Sequence, residues 1–151
     1  MDPRVREHAE VIADHSAGIE SGDRVVVAMP PSAEDLAVAL HEVCGDRGAT
    51  PVYLNNSDRA SRAFLRASAG GADETGFDTP DHQLALHEEA DVFVIARGGV
   101  NVSEQSDVAP ETNAAWRRAY QPVQKERLSK TWCLTQFPST GHAQLAGMST
   151  E

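Results

Sequence analysis

The chain has 151 residues, of which 40% are hydrophobic and 5% aromatic, and its 23 acidic and 13 basic residues give a formal net charge of −10. This length is sufficient for one domain with a hydrophobic core built mainly from aliphatic side chains. The acidic balance argues against nucleic-acid binding, because a phosphate-binding face needs clustered lysines and arginines.

The charged residues favour a protein adapted to high salt. Lys125 and Lys130 are the only lysines in this acidic chain. An acidic surface holds water and cations, and dissolved salt screens the repulsion between its carboxylates. An ordinary acidic cytosolic protein would have a similar composition and is the alternative interpretation.

Nothing in the sequence indicates export or membrane insertion. No run is long and apolar enough to cross a bilayer, and the N-terminus lacks the apolar core of a signal peptide. Cys44 and Cys133 lie far apart and are expected to be buried free thiols in a reducing compartment. We therefore predict a cytoplasmic protein without a membrane partner.

The first third of the chain begins with a helix and a buried strand. Asp2 followed by Pro3 is a typical helix start, and Gly18 is a natural stop. Residues 24–29 form a continuous apolar run, as expected for a strand that is buried on both faces of a parallel sheet. After two prolines, Ser32 is the predicted N-cap of a second helix that ends at the glycines of residues 45–48.

The remaining elements continue this alternation. Residues 51–54, 91–96 and 131–137 are the predicted second, third and fourth strands, and the segments between them have helical patterns. Pro122 is expected to kink or split the last of these helices. The other predicted segments are a short helix after Asn55 that runs to Arg66, a surface loop over 68–78, a helix from Thr79–Asp81, a loop over 100–110 and the helix over 111–128.

Strands separated by helices predict the fold class. The expected fold is an α/β domain with a doubly wound, mostly parallel sheet and helices on both faces, in a three-layer, Rossmann-like arrangement.

The turn after the first strand does not resemble a phosphate-binding turn. Pro30 and Pro31 remove backbone donors where a dinucleotide-binding turn would supply them, and no glycine-rich phosphate motif is present. Gly98–Gly99 after the third strand would suit either an anion cradle or a turn that ends the strand, and the turn is favoured. A ligand near 30–32, 55–56 or 98–99 would instead indicate a stand-alone domain that binds a small ligand or a nucleotide.

No side chain is predicted to be catalytic, cofactor-binding or metal-ligating. His41 and His87 each begin an incomplete HExxH zinc motif, because Gly45 and Asp91 stand where the second histidine should be. No serine lies in a nucleophile elbow, and the two cysteines occupy apolar positions at which thiols are inert.

The last 24 residues, 128–151, carry the most specific pattern. The run Trp132-x-Leu134-Thr135-x-Phe137-Pro138-Ser139, followed by Ala143-Gln144-x-Ala146-Gly147-Met148-Ser149, resembles the junction segment of the M29 family of metalloaminopeptidases. In that family the segment joins an N-terminal α/β domain to the catalytic domain that holds the metals. One departure is Ser139, where threonine is expected.

The resemblance implies a domain organisation. Residues 1–138 are expected to form the N-terminal domain, and residues 139–151 to begin the junction to a catalytic domain outside this chain. Ser149 is expected to cap a helix whose first turn contains Glu151. The expected junction residues are Trp132, Phe137, Pro138, Gln144 and Met148.

The resemblance also implies a function for the parent protein. It is expected to be a homodimeric hydrolase that releases N-terminal residues from peptide substrates with two divalent metal ions, which activate water and polarise the scissile carbonyl. Because the family's metal ligands have no counterparts here, this chain is expected to be inactive alone. Its expected role is to shape access to the active site and to contribute dimer contacts.

Overall fold

Four strands form a parallel sheet in a computed structural model of the chain, which describes residues 2–68 and 76–149. The strands are β1 (Arg24–Met29), β2 (Thr50–Asn55), β3 (Val92–Arg97) and β4 (Thr131–Gln136), in the spatial order β2-β1-β3-β4. All three pairings are parallel. The chain runs from β1 to β2 on one side and later adds β3 and β4 on the other, so the winding reverses at β1. The predicted doubly wound α/β class is confirmed.

The helical segments belong to two units of the chain. The sheet unit comprises the strands and Met1–Asn56, Ala90–Val102 and Lys130–Glu151, and the helical unit comprises Ser57–Glu89 and Ser103–Ser129. The helices are α1 (Pro3–Val11, extended by a π-helical turn Ile12–Ser16), α2 (Glu34–Arg47, preceded by a 3-10 turn Pro31–Ala33), α3 (Asp58–Ser68), α4 (Asp81–Glu89), α5 (Pro110–Leu128) and α6 (Thr140–Ala146).

Two predicted helix ends have the expected local chemistry. The Asp2 carboxylate accepts a hydrogen bond of 2.9 Å from the Arg4 backbone N–H, and Pro3 occupies the first helical position of α1. Gly48 ends α2 in the left-handed conformation at φ 74°, which glycine adopts without a steric penalty. The predicted loop over 68–78 lies mostly outside the described residues, and so does Glu151.

The prediction that Ser32 caps α2 is wrong. The 3-10 turn places Ala33 at the N-cap position, and α2 has no side-chain cap. The Ser32 hydroxyl instead donates a hydrogen bond of 2.8 Å to the Gly98 carbonyl beyond β3. A serine two residues before the first helical turn therefore links two turns of the sheet unit.

A kink or a split of the last long helix is expected at Pro122, and the split does not occur. α5 runs without interruption through Pro122. Proline removes the hydrogen bond to the carbonyl four residues earlier, but Ala119 and Val123 beside it are buried. The burial of these two side chains stabilises the helix around the proline and offsets the missing bond.

The core of the sheet unit lies between the sheet and helices α1 and α2. One face of the central strands contributes Val25, Val27, Met29, Val92 and Val94. Against this face, α2 buries six side chains, namely Leu36, Ala37, Ala39, Leu40, Val43 and Cys44.

The helical unit is held together by aromatic and ionic contacts. The rings of Phe64 and Trp116 are 5.2 Å apart and those of Trp116 and Tyr120 are 5.8 Å apart. Asp107 receives hydrogen bonds from Arg62 Nε at 2.7 Å and Arg66 Nη1 at 3.0 Å. Because both arginines lie on α3, they fix the loop that precedes α5.

His87 on α4 is expected to make the stability of the chain sensitive to pH. Its side chain is 4% exposed, and its Nδ1 donates to the Gln83 carbonyl at 2.8 Å, because a carbonyl can only accept. Burial, and to a smaller extent the charge of Arg127, lower the pKa of His87 below its ordinary value of about 6.5. The unfolded chain therefore binds the proton more readily, and the free energy of unfolding should fall as the pH drops below about 6.5.

His87→Gln tests this dependence, because glutamine has no charge at any pH. We will compare the free energies of unfolding of wild type and variant by urea denaturation from pH 8 to pH 5. We expect the value for the wild type to fall relative to that of the variant as the pH decreases. A difference that does not change with pH would show that His87 does not titrate in this way.

No helix among residues 2–68 and 76–149 has the length and apolar character needed to cross a membrane.

Candidate functional site

A cleft of about 850 Å³ opens in the sheet unit at the carboxyl ends of the strands. Three turns contribute to its lining: Ser32 follows β1, Val100 follows β3, and residues 137–139 follow β4. In open α/β sheets, ligands bind outside the carboxyl ends of the strands, close to the reversal of strand order. The cleft therefore occupies the usual position of a binding site in this class of fold.

Two helices complete the walls, and each contributes a histidine. His8 comes from α1, and its Nε2 lies 3.0 Å from the Thr135 hydroxyl on β4. His142 comes from α6, and its Nδ1 lies 2.8 Å from the Ser139 hydroxyl. These contacts fix both rings at the cleft, whose lining combines apolar side chains with the charged side chains of Asp2, Arg4 and Asp35.

The turn after β3 is tightly packed. A Cβ atom added at Gly98 would lie 3.2 Å from the Phe137 carbonyl oxygen and 3.4 Å from the Ser32 hydroxyl. The Gly98 carbonyl already accepts a hydrogen bond from the Ser32 hydroxyl. The space beside Gly98 is filled by neighbouring turns, which supports the turn interpretation over an anion cradle.

Gly141 docks α6 against this same turn. Its N–H donates to the Gly99 carbonyl at 3.1 Å. A Cβ atom at this position would lie 2.5 Å from that oxygen and 3.1 Å from the Val100 oxygen. Only glycine allows two backbones to approach this closely. Gly141 therefore determines the position of α6, which forms one wall of the cleft.

The predicted junction residues separate into two groups. Phe137, Pro138 and Met148 line the cleft. Trp132 on β4 and Gln144 on α6 are exposed and do not contribute to its lining. Sequence reasoning did not select His8, Gly141 or His142. The sole signal for Gly141 was its position within a run of small residues.

The described residues do not fit a divalent metal. Residues 2–68 and 76–149 contain no group of three or more His, Cys, Asp or Glu side chains that could hold an ion. His41 and His87, from the incomplete zinc motifs, each place Nδ1 2.8 Å from the backbone carbonyl one turn earlier in their own helices. We therefore assign no metal-dependent step to these residues.

Solved structures resemble the fold at low sequence identity. Wild-type AmpT from Thermus thermophilus superposes with a TM-score of 0.69 at 20% identity, and the match covers 89% of this chain and 36% of AmpT. The chain therefore spans about a third of the length of that protein. The fatty acyl CoA synthetase of Mycobacterium tuberculosis has a TM-score of 0.41 at 18% identity, with coverage of 97% and 22%, which is too low to support an argument. Comparison with curated proteins gives no match.

A family model defines the relationship more closely than these structures do. The model for the thermophilic metalloprotease family M29 matches residues 1–151. This match confirms the resemblance recognised in the stretch from Trp132 to Ser149. The chain belongs to the thermophilic metalloprotease family M29.

Proposed function

We propose that this chain is the non-catalytic α/β domain of a metal-dependent aminopeptidase, and that its role is architectural. The proposal rests on one observation, which is that the described residues offer no set of side chains suited to hold a metal ion. A family of metalloproteases needs residues that hold the metal, and the described part of this chain offers no suitable cluster. The two-metal site and the hydrolysis of N-terminal residues are assigned to a catalytic domain outside these 151 residues.

The cleft supports an architectural role. Phe137, Pro138 and Met148 belong to the segment that resembles the family's junction, and all three line the cleft. The close contact of Gly141 with Gly99 anchors this segment to the sheet unit. A rigid junction of this kind would hold a catalytic domain at a fixed angle and so shape the path of a peptide to its active site.

An activity assay on the 151-residue chain tests the proposal. We expect no release of p-nitroaniline from a panel of aminoacyl p-nitroanilides with added Zn²⁺, Co²⁺ or Mn²⁺, in low and high salt. Circular dichroism must show that the assayed chain is folded. Metal-dependent hydrolysis that co-purifies with this chain and disappears with a chelator would overturn the non-catalytic assignment.

The coding DNA provides an independent test. We expect the reading frame to continue past codon 151 into a segment with clustered Glu, His and Asp residues. A stop codon directly after Glu151 would contradict the assignment to a larger aminopeptidase.

The position of the cleft favours a second candidate, which is a stand-alone domain that binds a small ligand. Its location at the carboxyl edge of the sheet is the observation that supports this function. Nucleotides are the less suitable class, because Pro30 and Pro31 donate no backbone hydrogen bonds beside the cleft. Thermal-shift screening with nucleotides, amino acids and dipeptides distinguishes the candidates, since a ligand that binds the folded state raises the Tm.

A further inference from the structure

β4 forms an edge of the sheet, and its main-chain groups on one side face away from β3. Among the described residues β4 pairs with β3 alone. The Phe137 N–H donates to the Arg97 carbonyl at 2.8 Å, so Phe137 directs its main-chain groups towards β3. Because these groups alternate along a strand, Trp132, Leu134 and Gln136 direct their N–H and C=O groups outward.

The same three residues present an uncharged surface. Their side chains share one face of the strand, on which Trp132 is 45% exposed and Leu134 is 42% exposed. No residue of β4 is charged. Proteins usually protect an edge strand with a proline, a lysine or a bulge. The opposite edge strand, β2, contains Pro51, whereas β4 has no such residue.

The charge distribution indicates what can cover this edge. The chain carries 23 acidic residues, yet none occurs between Glu126 and Glu151. Two copies of a chain with a net charge of −10 repel each other over most of their surfaces. Along β4 they could approach without bringing carboxylates together.

The geometry of β4 is also self-complementary. In an antiparallel pair with a two-fold axis at Leu134, this residue faces Leu134 of the partner subunit, and Trp132 faces Gln136 of the partner subunit. All three outward-directed residues then form main-chain hydrogen bonds, and no charge is buried. We propose that β4 pairs with β4 of a second copy of this chain and joins the two four-stranded sheets into one.

This pairing would provide the contact for the homodimer that the family resemblance implies, and it is independent of the non-catalytic assignment. Light scattering on the 151-residue chain in high salt should give twice the mass of the 16.2 kDa chain. Leu134→Lys should give the single mass, because it replaces the apolar contact at the axis with two ammonium groups that would have to lose their hydration on pairing. Val52→Lys is the matched control on β2, where Val52 is 40% exposed, and it should remain dimeric.

A cross-link keeps the test decisive if the lysine variant fails to fold. Leu134→Cys places two thiols directly opposite each other across the two-fold axis, within reach of a short bifunctional thiol reagent. A short bis-methanethiosulfonate reagent should convert this variant, and neither the wild type nor Val52→Cys, into a covalent dimer. A monomeric wild type would overturn both the pairing and the dimer contact. The edge of β4 would then be covered by something other than a second copy of this chain. A dimer that survives Leu134→Lys and is not cross-linked by Leu134→Cys would overturn the pairing alone.

Discussion

Leu40→Ala is expected to lower the free energy of unfolding by about 2–5 kcal/mol. Leu40 is completely buried on α2, in the core that this helix shares with β1 and β3. The substitution removes apolar atoms from contact and leaves a cavity that the surrounding side chains fill only in part. Because small domains are stable by only about 5–15 kcal/mol, this single change should remove a large fraction of the total.

Urea denaturation followed by circular dichroism measures this effect, with the salt concentration held constant. Val38→Ala is the matched control, because Val38 lies on the same helix and is 44% exposed. Its cost should stay within about 0.5 kcal/mol, as for most surface substitutions. Equal losses from the two variants would mean that α2 does not present this face to the sheet.

The strands were predictable because their signal is local. A parallel strand covered on both faces must be apolar over its buried length, and residues 25–29 satisfy this condition. The prediction for this strand agrees with β1 at both ends, and the other three strands shift by at most one residue at each end. The doubly wound class follows from the same pattern, since helices that alternate with such strands require crossover connections.

Ser32 and Pro122 show where local rules fail. A serine before a helix normally caps it by accepting a hydrogen bond from a backbone N–H. Here the 3-10 turn places Ala33 at the N-cap position, and the Ser32 hydroxyl donates to the Gly98 carbonyl, which is 66 positions away in the sequence. A proline normally interrupts a helix, but buried neighbours keep α5 intact around Pro122. In both cases tertiary contacts decide the outcome, and sequence spacing carries no information about them.

The cleft was only partly predictable for the same reason. Family resemblance selected Phe137, Pro138 and Met148 as junction residues, and the fold brings them to one surface. His8 and His142 join them from the two ends of the chain. A sequence pattern cannot indicate their proximity, because it depends on how α1 and α6 are positioned around the carboxyl ends of the strands.

Gly141→Ala is expected to destabilise the sheet unit by about 1–3 kcal/mol, although helix propensity alone predicts the opposite sign. Alanine is favoured over glycine inside helices by about 1 kcal/mol. At this position, however, the new methyl group would lie 2.5 Å from the Gly99 carbonyl oxygen, and the nearest atoms all belong to the backbone. Since backbone cannot rotate away as a side chain can, α6 must move, and overpacking of this kind costs about 1–3 kcal/mol.

Gly45→Ala is the matched control for Gly141→Ala, and it should stabilise the chain by about 1 kcal/mol. Gly45 lies within α2, and a Cβ atom there would meet nothing within 4 Å. Hydrogen exchange should also show faster exchange over residues 140–146 in Gly141→Ala, because the Gly141–Gly99 hydrogen bond is lost, and no change there in Gly45→Ala. If both substitutions stabilised the chain, α6 would not be docked closely on the turn after β3, and the cleft would lack a fixed wall. Opposite signs would show that one backbone contact holds the junction segment in place.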